Sequence, residues 1–234
     1  MKVTLIARTG FIDIPESVEG TSFGEFFYSD KDALINDSDT LAHFAGRSCY
    51  QSWDMPSEKT ATNMGYMANI LKQQHYSIME HASATFYIEG VSRNLTHELI
   101  RHRHLSYSEL SQRFVNMEDS KVIVAPANRE QLNLPKLLPQ APQTLINYTA
   151  VVDRLMSFGK TRKEAREAAR YDLPGGTETK IVVTGNHRAW RDMLHKRYSV
   201  HADAEICELA TELLKQLKLL APATYQDFPD RPFE

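Results

Sequence analysis

The sequence predicts an α+β protein: one domain over 1–234, with a mixed or antiparallel sheet flanked by helices. Three observations carry this. Strand-like and helix-like segments intermix without the regular βαβ alternation of a parallel sheet. The 234 residues, 42% of them apolar, suffice for a full core within the size range of a single domain. No internal repeat or low-complexity tract divides the chain.

Each element follows from local pattern. Val3 to Ala7 reads as a first strand, and the connection from Gly10 to about Asp39 shows no clear period. Helical patterns occupy about Thr40 to Tyr50 and Thr60 to His75, and Ser83 to Ile88 is a strand of mixed alternation. Ser92 suits the N-cap of a helix carrying Leu95 and Leu99 on one face, which ends near Arg101. Lys121 to Ala125 reads as another strand. From Pro142 to Tyr171 the pattern predicts one long helix, stopped by Leu173-Pro174-Gly175-Gly176. Lys180 to Val183 is a buried strand and Gly185-Asn186 a turn. Helices over about Arg188 to Arg197 and His201 to Leu220 follow, and the tail Pro229 to Glu234 is expected to fray.

Composition narrows function. Lys and Arg total 27 against 30 Asp and Glu, a net charge of -3, unlike the strongly basic proteins that coat nucleic acid. Cys49 and Cys207 have no CxxC spacing, so neither a disulfide framework nor a zinc site is indicated, and a reducing cytoplasm is expected. The start, Met1 to Arg8, is interrupted by charge too early for a signal peptide, and no apolar run approaches a membrane span.

The densest chemistry lies in Arg101-His102-Arg103-His104-Leu105-Ser106-Tyr107-Ser108-Glu109-Leu110-Ser111-Gln112-Arg113. Guanidinium forks bind phosphate or carboxylate bidentately, and hydroxyls complete such a cradle. On a helix Arg101 and Arg103 would face nearly opposite ways, and so could serve two anions. Extended backbone beyond Arg103 would put Tyr107, Glu109, Ser111 and Arg113 on one face. The competing reading is a solvated basic helix end with an ordinary Glu98–Arg101 pair. A zinc protease reading of His97-Glu98-Leu99-Ile100-Arg101-His102 fails, because residues five apart on a helix lie about 140° apart and cannot converge on one metal.

Arg101-His102-Arg103 followed by seven residues and Ser111 resembles the signature of the flavin-dependent thymidylate synthases. Similar blocks run through Arg47-Ser48-Cys49-Tyr50-Gln51-Ser52-Trp53, Glu80-His81-Ala82-Ser83, Thr179 to Asn186, Arg197 and His201, in the family's order. Ser108 and Phe114 stand where the family often has Asn and Tyr.

The resemblance implies reductive methylation of dUMP to dTMP. Methylenetetrahydrofolate would give the carbon and leave as tetrahydrofolate, FAD would carry the hydride, and NADPH would reduce the FAD. It implies flavin contacts for Ser77, Arg101, His102, Arg103, Glu109, Asn186, His187, Arg188 and Asp192. It implies nucleotide contacts for Glu98, Leu99, Ile100, Arg101, Glu109, Leu110, Ser111, Gln112, Arg113, Arg170 and Arg197. Arg197 would activate the uracil ring, with no cysteine nucleophile and no metal. A homotetramer with sites shared between subunits is also implied. His81 and Tyr50 are open between site and core, and both cysteines look like packed thiols. Rivals are a non-catalytic nucleotide or RNA binder and a cysteine-dependent synthase, which needs an activated thiolate.

Overall fold

The computed structural model describes residues 1–29, 37–54, 57–129 and 141–234. Four strands form the sheet: β1 (Lys2–Arg8), β2 (Ser83–Ser92), β3 (Ser106–Glu109) and β4 (Glu178–Asn186). Their spatial order is β1-β2-β4-β3, and every neighbouring pair is antiparallel. Around them lie α1 (Glu16–Glu19), α2 (Ser22–Ser29), α3 (Asp37–Tyr50), α4 (Asn63–Gln73), α5 (Arg93–Leu99), α6 (Pro126–Arg129), α7 (Ala141–Ser157), α8 (Arg162–Ala169), α9 (His187–Arg197) and α10 (Ala204–Leu220). A 3₁₀ turn over Tyr76–Glu80 leads into β2.

Strand alternation sends Ala84, Phe86 and Ile88 of β2 and Ile181 and Val183 of β4 into one buried face. Against it pack Leu95 and Leu99 of α5, Trp190, Met193 and Leu194 of α9, and Ile206, Leu209, Leu213 and Leu217 of α10. Trp190 fixes α9 on the sheet: its ring stands edge-on to Phe86 at 5.3 Å, and its indole N–H donates to the Ala84 carbonyl at 3.2 Å. Gly185 leaves room here, since a Cβ would lie 2.1 Å from Leu105 Cδ2 and force that side chain to shift. The bare backbone lets the 101–105 turn settle beside α9.

The predicted fold class holds, and several element boundaries are corrected. The connection after Gly10 contains α1 and α2, built on Val18, Phe23 and Phe27. Lys121 to Ala125 is no strand; only the bridge Val122–Thr177 forms there. The predicted helix from Pro142 to Tyr171 is two, because Gly159 takes φ +82 and Thr161 restarts the chain with a capping box to Glu164. Gly185-Asn186 is the end of β4, and Asn186 Oδ1 then caps α9 by accepting from Ala189 N at 2.8 Å. The tail docks rather than frays. Phe233 N donates to the Tyr198 carbonyl and Val200 N to the Phe233 carbonyl, each at 2.9 Å.

Candidate active site

Helix α5 starts at Ser92, whose hydroxyl accepts from Leu95 N at 3.0 Å while donating to buried Glu205 at 2.6 Å. It ends at Leu99, where the chain turns so that Arg101, Arg103 and His104 are exposed while His102 is buried. The Tyr107 hydroxyl, on β3, bridges the carbonyls of Leu99 at 2.7 Å and His102 at 2.8 Å, which holds the turn against the sheet. Arg101 and Arg103 therefore share one side of a turn, rather than opposite faces of a helix.

This turn faces α9 across an open cleft of about 490 Å³, lined by the whole 101–104 run with Asp192, Lys196 and Arg197. The guanidinium of Arg197 is anchored twice: Nε donates to His102 Nε2 at 3.0 Å, and Nη1 to Glu98 Oε2 at 2.8 Å. Burial lowers the His102 pKa to about 4, with the Arg197 charge acting in the same direction and Asp192 opposing it. Asp192 sits 3.9 Å from His102 Nδ1 and pairs with Lys196 at 2.7 Å, one helical turn on. Arg101 and Arg103 have no side-chain partner among the described residues. Their charge is available to an anion.

A second cavity of about 440 Å³ shares His104 and Asp192 with the first and is completed by Glu80, Asn186, Arg188 and Ala189. Arg188 pairs with Glu80 at 2.5 Å. Ser77 is exposed on the turn that supplies Glu80 but does not line this cavity.

Other expected contacts are placed differently. The His187 imidazole turns into the core, where Nδ1 meets the Tyr225 hydroxyl at 2.8 Å, and burial lowers its pKa to about 4. A flavin contact through that ring is not available. Leu99 is wholly buried, whereas Ile100 is exposed at the helix end. Glu109 Oε1 accepts from Thr96 at 2.8 Å and Thr179 at 3.0 Å, and Arg93 lies 3.0 Å away, so this carboxylate ties α5 to the sheet.

Leu110 packs against a separate apolar cluster that includes Ala165 and Ala169 of α8, and Arg113 Nε donates to Glu167 Oε2 of α8 at 3.1 Å. Arg170 lies three residues beyond Glu167, half-buried and without a side-chain partner among the described residues. Neither Ser111 to Arg113 nor Arg170 lines the Arg197 cleft. Tyr50 and His81 are exposed, so neither is a core residue, and Cys49 is exposed rather than packed.

Sequence reasoning missed Lys196 and Glu167. The i,i+4 spacing of Asp192 and Lys196 was a readable signal for the first. Glu167 has none, since it meets Arg113 across 54 positions. Among the described residues no group of three or more His, Cys, Asp or Glu could hold a metal.

Residues 33–223 match the family described as Thymidylate synthase complementing protein. Flavin-dependent thymidylate synthases of Mycobacterium bovis BCG and Mycobacterium tuberculosis are 47% identical to this chain, covering 97% of it and 90% of their own length. The chain belongs to the flavin-dependent thymidylate synthases. The Mycobacterium marinum enzyme is 46% identical over the same shares. A crystal structure of Thymidylate Synthase X from Helicobacter pylori with FAD and dUMP superposes with a TM-score of 0.66 over 98% of both chains; at 21% identity this speaks for the fold alone. Membership makes this chain a flavin-dependent enzyme of thymidylate synthesis, and the cleft between the Arg101–His104 turn and α9 is its candidate active site.

Proposed function

We propose that this synthase, one domain over 1–234, converts dUMP to dTMP with methylenetetrahydrofolate as carbon donor and FAD, reduced by NADPH, as hydride carrier. The observation that carries the reading is the double anchoring of Arg197 on the wall of a cleft whose other arginines have no side-chain partner among the described residues.

The residues present fit the flavin. Arg101, Arg103 and Lys196 offer an anionic cofactor charge-assisted hydrogen bonds, each contributing about 1.5 to 3 kcal/mol. Lys196 also neutralises Asp192, which would otherwise repel an anion. When bound, the reduced flavin supplies the hydride that completes the new methyl group.

The protein supplies placement and charge. Uracil C5 is a weak nucleophile while N3 holds its proton, so a fixed cation near N3 and O4 favours the anionic ring and raises C5 reactivity. Arg197 suits this task because a guanidinium stays charged and does not accept protons at neutral pH. Two of its five N–H groups are spent on His102 and Glu98. Three remain for the pyrimidine.

Ser111, Gln112, Arg113 and Arg170 are assigned to the nucleotide, with Ser111 and Arg113 on its phosphate. Because none of this group lines the Arg197 cleft, the reading includes a homotetramer whose sites combine residues of different subunits. Cytoplasmic residence fits two cysteines without a framework.

The test compares two half-reactions in Arg197→Ala. Methylation of dUMP should fall at least ~100-fold while NADPH-dependent flavin reduction changes only a few-fold. Equal loss in both would remove Arg197 from the uracil step.

A further inference from the structure

His102 lies in the family's arginine-histidine-arginine signature and lines the cleft, yet the residue is only 7% exposed. Both ring nitrogens face α9. Nε2 lies 3.0 Å from Arg197 Nε, and Nδ1 lies 3.9 Å from the Asp192 carboxylate. Arginine Nε–H can only donate, so Nε2 must carry a lone pair and the proton must sit on Nδ1, facing Asp192. Glu98 takes the neighbouring Nη1 of the same guanidinium at 2.8 Å. The two contacts engage two different nitrogens of one rigid plane, which fixes its tilt as well as its position.

We infer that His102 is a positioning residue for Arg197: its neutral imidazole accepts the Arg197 Nε–H and, together with Glu98, holds the guanidinium plane at the angle the pyrimidine requires. The inference rests on the assignment of Arg197 to the uracil ring. A protonated ring would lose the acceptor and set two cations against each other, so the clamp requires the neutral form. The surroundings keep it neutral: Arg101, Lys196 and Arg197 are cationic neighbours, and among the facing charges only Asp192 favours protonation. Asp192 is itself drawn aside by Lys196 at 2.7 Å.

A single hydrogen bond matters here because catalysis is sensitive to orientation. Displacing a catalytic group by ~1 Å can cost about 100-fold in rate. Ground-state nucleotide affinity depends on it much less, since the phosphate is held elsewhere.

The experiment compares His102→Phe, which removes the acceptor at similar size, with His102→Gln, whose Oε1 can take the place of Nε2. In His102→Phe the kcat for dTMP formation should fall ~10- to 100-fold with KM for dUMP within about 3-fold. His102→Gln should return to within about 5-fold of the parent. Ring ¹⁵N spectra of the histidine-labelled parent should show Nε2 unprotonated and Nδ1 protonated between pH 6 and 8, a readout that needs neither variant to fold. The inference is overturned if His102→Gln is as poor as His102→Phe, if activity loss merely tracks flavin loss, or if Nε2 carries the proton. A parent protein that binds flavin but forms no dTMP would sink the functional reading instead, and the ring spectra would still decide the clamp.

Discussion

Arg113 and Glu167 meet at 3.1 Å through the arginine's Nε, so the carboxylate steadies the guanidinium from the side and leaves its Nη edge open. An open Nη edge can bind phosphate bidentately. Arg113→Ala should therefore raise KM for dUMP ~10- to 100-fold, the loss of one or two charge-assisted bonds. Glu167→Gln keeps a hydrogen-bond acceptor at the same place and should change KM less than about 3-fold. Initial-rate measurements on both variants check this, and equal large losses would mean that the Glu167 charge itself builds the site.

Arg103, exposed and without a side-chain partner among the described residues, should matter to the cofactor more than to the fold. In Arg103→Ala the flavin retained after gel filtration should drop at least ~10-fold, while the melting temperature of the flavin-free protein stays within about 2 °C. Unchanged flavin content would detach this residue from cofactor binding.

Acid should unfold the protein through its buried histidines. Burial lowers His43 to about 3 and both His102 and His187 to about 4, all below the usual 6.5. The unfolded chain takes up these protons near pH 6.5, the folded chain not until pH 3 to 4. Their stability contribution is thus complete above pH 6.5 and lost as pH falls toward 4. Asp39 acts oppositely, since burial raises it to about 6, so acidification in that range favours the folded form. Between pH 7.5 and 5.5 the three histidines cost roughly 4 kcal/mol and Asp39 returns nearly 1, a net loss of about 3 kcal/mol. Urea titrations at the two pH values measure it; equal midpoints would contradict the neutral buried histidines.

How much of this was legible in the sequence depended on distance along the chain. The α5 start at Ser92, the stop before Pro174 and the anion-binding character of Arg101 to Arg113 rest on neighbours a few positions apart. Extended backbone with Tyr107 and Glu109 on one side was readable too, and β3 has that alternation. The break at Gly159 was missed although the Thr161–Glu164 capping box announces a new helix, because the apolar pattern continues across it. Docking of Phe233 beside Tyr198 and the contact of Arg197 with His102 span 35 and 95 positions, and no local pattern encodes them. The inward turn of His187 likewise depends on Tyr225, 38 residues away.

The proposed chemistry uses neither cysteine. Cys49 is exposed, and Cys207, half-buried in α10, has its thiol pushed up by burial, the reverse of an activated nucleophile. The Cys49→Ala, Cys207→Ala double variant should keep dTMP synthesis within about 3-fold of the parent, with any stability loss confined to position 207. Loss of turnover in a folded, flavin-loaded double variant would reopen a thiolate mechanism.

The most direct measurement is the oxidation state of the folate released with each dTMP. If the flavin gives the methyl hydride, folate donates only its carbon, and tetrahydrofolate should appear in a one-to-one ratio with dTMP in the presence of NADPH. Stoichiometric dihydrofolate would mean that folate supplies the hydride, and would contradict the account.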